Sequence, residues 1–166
     1  MALDTTAGPH VSLQRETGFH FRVRFGDGRI PELFTDEPPP LGDGAGPGPT
    51  ALLAAAIANC LAASLLFCLR RAHLEPAALA AEADVTLHRN EQGRLRVHGV
   101  RVTLAPSVDD EARAKMARCL EVFESFCTVT ESVRQGFPVE VEVRPRRPAP
   151  AGDRRVDEYG WPAEEA

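Results

Sequence analysis

Hydrophobic and polar residues alternate one for one from Phe19. Phe19, Phe21, Val23 and Phe25 fall on one face, and His20, Arg22 and Arg24 on the other. A period of two marks a half-buried strand. Gly26, Asp27 and Gly28 supply a turn, and residues 30–34 are expected to return as a short second strand of a hairpin. Residues 35–49 (TDEPPPLGDGAGPGP) have no period and too much Pro and Gly for regular structure; they form a stiffened loop. Residues 49–73 then read as one long helix, the most apolar stretch of the chain. Pro49 and Thr50 suit its first turn, where a missing N–H costs nothing. Arg70, Arg71 and His73 suit the negative end of its dipole, and Pro76 blocks continuation.

Beyond the helix, residues 83–89 and 94–104 read as two strands around the turn at 90–93. Leu95 and Val97 share one phase and Val100, Val102 and Leu104 the other, so a β-bulge is expected at His98-Gly99. A second helix is expected to start at Ser107, with Asp109 and Asp110 in its first turn and Ala112, Met116, Cys119, Leu120 and Phe123 as its apolar stripe. A short helical turn over 130–135 closed by Gly136 follows, then a strand carrying Val139, Val141 and Val143. The order β-β-helix-β-β-helix-β predicts an α+β domain with an antiparallel sheet. Residues 1–18 read as a flexible lead-in and 19–144 as the domain. Residues 145–166, with four Pro, read as a tail without its own core, anchored only by Tyr159 and Trp161.

The 166 residues suffice for one core. A net charge of -5 with no clustered basic stripe argues against nucleic acid as a partner. Residues 51–69 carry no charge over 19 positions, long enough to cross a membrane. Seven of them are Ala, however, and Asn59 and Ser64 interrupt the run, so a buried core helix without membrane association is the expected reading. The chain opens without a hydrophobic leader, and a cytoplasmic setting is expected, where disulfides are more often transient than structural.

The chemistry is in the thiols. Cys60, Cys68, Cys119 and Cys127 show neither C-x-x-C nor zinc spacing, so no metal and no cofactor is expected. Cys68 sits between Phe67 and Leu69, and Cys119 on the stripe with Met116 and Phe123; both read as small buried hydrophobes. Cys127 falls just before a short helix, where free N–H groups favour a thiolate. Periodicity leaves Cys60 open between core filler and nucleophile.

The stretch DEPPPLG…GPGPTALLAAAIANCLAASLLFCLRR, followed by FESFCTVTESVRQGFPVEVEV, resembles the OsmC/Ohr family of organic hydroperoxide reductases and their relatives. The likeness rests on a Pro eleven residues before a mid-helix Cys, and a second Cys followed by a short helix. It implies an intertwined homodimer whose sheet wraps long central helices, with active sites at the dimer interface. It further implies that Cys60 attacks the peroxide, that Cys127 resolves the sulfenic acid to a disulfide, and that an external dithiol restores the pair. Peroxidase members usually carry a Glu after the Pro that holds an Arg against the sulfur. This chain has Thr50 there and Ala51 next, and Thr128 where Pro commonly follows the second Cys. Arg22 or Arg24 is the expected activating cation, and Glu124 or Glu131 could replace the carboxylate. The alternative is a protein of this fold without peroxidase activity that binds a small apolar or thiol-reactive ligand in the interface cleft.

Overall fold

A strand precedes the first one expected from the pattern. In the computed structural model, which describes residues 6–26, 28–109, 113, 115–136, 139 and 141, β1 (Val11–Thr17) lies within the stretch read as a lead-in. It pairs antiparallel with β2 (His20–Phe25), Leu13 opposite Val23, and β2 pairs with the three-residue β3 (Leu33–Thr35). The return strand is thus shorter and later than residues 30–34; Ile30 is 56% exposed and has no partner strand to reward an extended backbone. The described residues fall into two compact units, one ending at Pro49 and one beginning at Thr50, and this three-stranded sheet belongs to the first.

In the loop after β3, Asp36 is the organising residue. Its buried carboxylate accepts hydrogen bonds from the backbone N–H groups of Glu37 (2.8 Å), Asp43 (3.0 Å) and Ala45 (3.2 Å). A Pro- and Gly-rich loop has few donors and acceptors of its own to pair, and one carboxylate here takes three.

The second unit is built on α1 (Pro49–Arg71). Its buried residues Ala54, Ile57, Ala58, Leu61, Ser64, Leu65 and Leu69 recur at three and four, so one stripe is covered. The helix ends two residues before His73, which takes a left-handed φ of 58°. His73 N–H donates to Arg70 C=O (3.0 Å) and Leu74 N–H to Leu69 C=O (2.9 Å), while Leu74 and Leu69 meet in the core. This is a Schellman ending with a histidine where glycine is the usual occupant.

β4 (Ala78–Arg89) and β5 (Leu95–Ser107) form a long antiparallel ribbon. The bulge lies where the phase slip put it: Thr86 faces Gly99 and Leu87 faces Val97, leaving His98 as the extra residue. The ribbon outruns expectation at its far end, where β5 continues through Pro106 to Ser107, the residue expected to begin a helix. In a two-stranded sheet each strand has a free edge, so Pro106 can turn its missing donor outward.

The second helical segment is interrupted. Among the described residues Arg113 and Lys115 are helical, Met116 is in a turn, and α2 (Ala117–Val122) follows, continued by a 3-10 turn (Phe123–Phe126). Asp110 and Ala112 lie outside the described residues, as do the tail at 145–166 with Tyr159 and Trp161 and, apart from Val139 and Val141, the strand expected over 139–144. α3 (Thr128–Gln135) is closed by Gly136 at φ 72°. The core of this unit joins Ile57, Leu61, Leu65 and Leu69 of α1 to Leu74, Met116, Cys119, Phe123 and Cys127. The architecture is α+β with antiparallel sheet throughout.

Candidate active site

Cys127 is the N-cap of α3, the hinge between the 3-10 turn and the helix, in an extended conformation (φ −83°, ψ 97°). Its backbone is fully used: its N–H donates to Glu124 C=O (2.9 Å) and its C=O accepts from Glu131 N–H (3.0 Å). Its side chain is 0% exposed and turns toward the free N–H end of α3. The Thr130 hydroxyl lies 3.0 Å from its sulfur, accepting from the thiol and able to donate to the thiolate.

Cys60, half-buried in the middle of α1, meets Cys127 across this helix start. The two thiols are close enough to alter one another's acidity, and the amides of Val129 and Thr130 at the start of α3 favour the charged form of Cys60. Ser64, one turn beyond Cys60, also donates toward Cys127. Burial first, and then Cys127, pushes the Cys60 thiol above its ordinary value. Burial pushes Cys127 up as well, but the hydrogen bonds from Cys60, Thr130 and Ser64 outweigh it and leave Cys127 below its ordinary value. Of the two thiols, Cys127 is therefore the more acidic.

The other residues singled out from the sequence stand elsewhere. Thr50 and Ala51 are exposed in the first turn of α1, and Thr50 is about 15 Å along the axis from Cys60 at the helical rise. Both line a shallow groove with Ala81, Ala83 and Val85 of β4. Arg22 and Arg24 belong to the first unit. There Arg22 pairs with Glu16 (2.7 Å) and lies over the Phe34 ring, and Arg24 pairs with Glu32 (2.7 Å). Glu124 and Glu131 are both clamped by Arg134, at 2.5 and 2.7 Å. Their charge is answered locally. Among the described residues no cluster of three or more His, Cys, Asp or Glu converges as a metal site.

Ser64 and Thr130 escaped the sequence reading. The signal was present as spacing: Ser64 is four residues after one cysteine, and Thr130 three after the other. Thr130 also lines an apolar cavity of about 710 Å³ walled by Ile57, Leu61 and Leu65 of α1 and by Val100 and Val102 of β5. A hydrocarbon group bound there would lie one residue away from the thiol pair.

Cys119 lies in the core as expected and Cys68 packs against it. Their sulfurs lie 2.6 Å apart, Cys68 half-buried and Cys119 buried.

The organic hydroperoxide resistance protein OhrB of Bacillus subtilis has a similar fold, with 20% identity, a TM-score of 0.56, and coverage of 77% of this chain and 91% of that one. An organic hydroperoxide resistance protein of Legionella pneumophila is similar at 22% identity and TM-score 0.56, covering 81% and 92%. An OsmC-like protein of Mycoplasma pneumoniae is similar at 12% identity and TM-score 0.64, covering 78% and 89%. No curated protein matches the sequence. The family model described as OsmC-like protein matches residues 42–142. That span holds both cysteines of the site, α1 and α3, and more than half of the 166 residues, and the chain belongs to the OsmC-like protein family.

Proposed function

We propose that this protein is a thiol-dependent peroxidase that reduces organic hydroperoxides through Cys60 and Cys127. The observation that carries the reading is the approach of Cys60 to Cys127 at the N-terminus of α3, where each alters the acidity of the other. Cys60 is the attacking sulfur, because Cys127 is 0% exposed and Cys60 is not. Attack requires the Cys60 thiol to give up its proton, to solvent or to Cys127 beside it. The Cys60 thiolate then attacks the outer peroxide oxygen, the O–O bond breaks, and the alkoxide leaves as alcohol after taking a proton. The Cys60 sulfenic acid condenses with the Cys127 thiol, forming the disulfide and releasing water. An external dithiol reduces the disulfide by exchange. The cavity beside Thr130 holds the alkyl group.

The homodimer expected from the resemblance is part of this proposal. Only one stripe of α1 is buried within the chain, while Phe67, Leu120 and Phe126 are 54%, 51% and 61% exposed. A second copy covering these surfaces would remove that apolar area from water. α1 is long and apolar enough to cross a membrane; its buried stripe against β5, α2 and α3 supports the core role, and a cytoplasmic setting goes with it.

One equivalent of cumene hydroperoxide added to Cys68→Ala/Cys119→Ala protein tests the pair. The expected result is a loss of two hydrogens in the intact mass, abolished by further Cys60→Ser or Cys127→Ser. An unchanged mass refutes the reading.

The exposed Thr50, where a Glu is usual, favours a second reading: a member of the fold that binds an apolar or thiol-reactive ligand without turnover. Thr50→Glu separates the two. A large gain in peroxide turnover marks a weakened peroxidase site, whereas unchanged, negligible turnover with retained ligand binding marks a binding protein.

A further inference from the structure

Two segments carry cysteines at equal spacing. Cys60 and Cys68 are eight residues apart on α1, and Cys119 and Cys127 are eight apart across α2 and the 3-10 turn. Where the segments meet, each cysteine of one finds a cysteine of the other. The first meeting is the Cys60–Cys127 pair. At the second, Cys68 Sγ and Cys119 Sγ are 2.6 Å apart. Both are free cysteines, within reach of a bridge without movement of the backbone. The two stations are about 12 Å apart along α1, too far for one pair to exchange directly with the other.

We propose that Cys68 and Cys119 form a second, independent redox site, a dithiol that closes to a disulfide with low-molecular-weight disulfides as oxidant. Cys68 is half-buried and Cys119 only 4% exposed, so Cys68 makes the first attack. Its thiolate displaces one thiolate from the external disulfide, giving a mixed disulfide. Cys119 then attacks the Cys68 sulfur and expels the second thiolate. In sum, two protein thiols and one external disulfide yield one protein disulfide and two external thiols. The external disulfide is reduced and the pair oxidised, and the two thiol protons leave with the released thiols.

Burial first, and Cys68 second, push the Cys119 thiol up to about 11. The contact between the sulfurs makes its attack effectively intramolecular, which offsets its small thiolate fraction. Closure fastens α2 to the C-terminal half of α1, and through Leu120 it fixes one wall of the apolar cavity. Oxidation here therefore acts on the substrate cavity without consuming the Cys60–Cys127 pair.

The test uses full-length Cys60→Ser/Cys127→Ser protein under anaerobic conditions, with hydroxyethyl disulfide as the probe. The expected product has lost two hydrogens and carries no adduct, and further Cys68→Ser leaves the mass unchanged. A persistent single adduct on Cys68, or no reaction, overturns the proposal. The wild-type chain supplies the second measurement should that double variant fold poorly. Treated with cumene hydroperoxide and then hydroxyethyl disulfide, it loses four hydrogens, whereas Cys119→Ala forms only the Cys60–Cys127 disulfide and keeps one mixed-disulfide adduct on Cys68. A wild-type loss of two hydrogens that Cys119→Ala leaves unchanged also overturns it, whatever the outcome for Cys60 and Cys127.

Discussion

Replacing Thr130 by Val tests whether the hydroxyl beside Cys127 sets the acidity of the thiol pair. Val keeps the branched shape of a residue only 7% exposed and removes the oxygen 3.0 Å from the sulfur. A hydrogen bond to an ionised group contributes about 1.5–3 kcal/mol. Cys60, Ser64 and the Thr130 amide still favour the charged sulfur, so the lower end of that range is expected, and the first apparent pKa of the coupled pair rises. Thiolate absorbance at 240 nm against pH, in Cys68→Ala/Cys119→Ala protein, reads this directly. Thr130→Ser keeps a hydroxyl and should leave the titration close to the parent.

Stability carries the same signal, with a definite sign. The folded pKa of Cys127 lies below its unfolded value, so Cys127 contributes stability that is fully present above the unfolded value and lost as pH falls through the folded one. Cys60, shifted upward, contributes in the opposite sense. Thr130→Val weakens only the Cys127 contribution, so the stability gap between parent and variant should widen as pH rises from 7 toward 9. A titration unmoved by Val, or a gap that narrows with pH, refutes the assignment of Thr130 as a thiolate donor.

Three further outcomes follow from the geometry. His73→Gly relieves the left-handed backbone at the end of α1 and should stabilise the protein by about 0.5–1 kcal/mol, read as a rise of ~2 °C in Tm; a fall in Tm would show that the His73 side chain matters more than its φ of 58°. The three N–H groups on Asp36, that of Ala45 foremost, hold its carboxyl below the ordinary value. Its stabilisation is therefore present above an unfolded pKa of about 3.9 and lost as pH falls through the folded one, so thermal melts of Asp36→Asn should lack that part of the acid dependence. Curves that stay parallel from pH 5 to pH 2 contradict this. Closing the Cys68–Cys119 bridge joins residues 51 positions apart, which in the chain-entropy account gives about 4 kcal/mol and a Tm higher by ~10 °C in the oxidised form; calorimetry showing equal midpoints would mean that closure strains the native core.

What the sequence reveals here is governed by burial. The alternation from Phe19 to Phe25 was legible because Val23 sits in a sheet between two partners. Its neighbour β1 was not, since Val11 and Leu13 are 40% and 48% exposed and only two apolar positions mark its face. The first half of β4 is nearly all Ala, which carries no strand preference, and its pairing comes from β5 across the ribbon. The bulge was readable because a bulge shifts phase, and phase is written in side chains. The start expected for the second helix at Ser107 failed for a different reason: a stripe shows which face is buried but not where the chain starts to turn, and β5 keeps Ser107.

The thiols show the limit of reading one element at a time. Each cysteine, judged against its own neighbours, gave an answer: filler for Cys68 and Cys119, a helix start for Cys127, and an even choice for Cys60. What joins those judgements is the equal interval of eight on the two segments, which is legible in the sequence and means that any bridge links one segment to the other. Once Cys60 is placed against Cys127, the repeat brings Cys68 toward Cys119 with little freedom left. One crossing of α1 by the α2 segment therefore registers two thiol pairs. The pairs differ in what surrounds them. The first lies at the N–H end of α3 beside two hydroxyls, which stabilise negative sulfur. The second lies among Leu69, Met116 and the rest of the core, which do not. Under the proposed activity, thiol chemistry is offered at two points about 12 Å apart, and the groups around Cys60 and Cys127 favour that pair for peroxide.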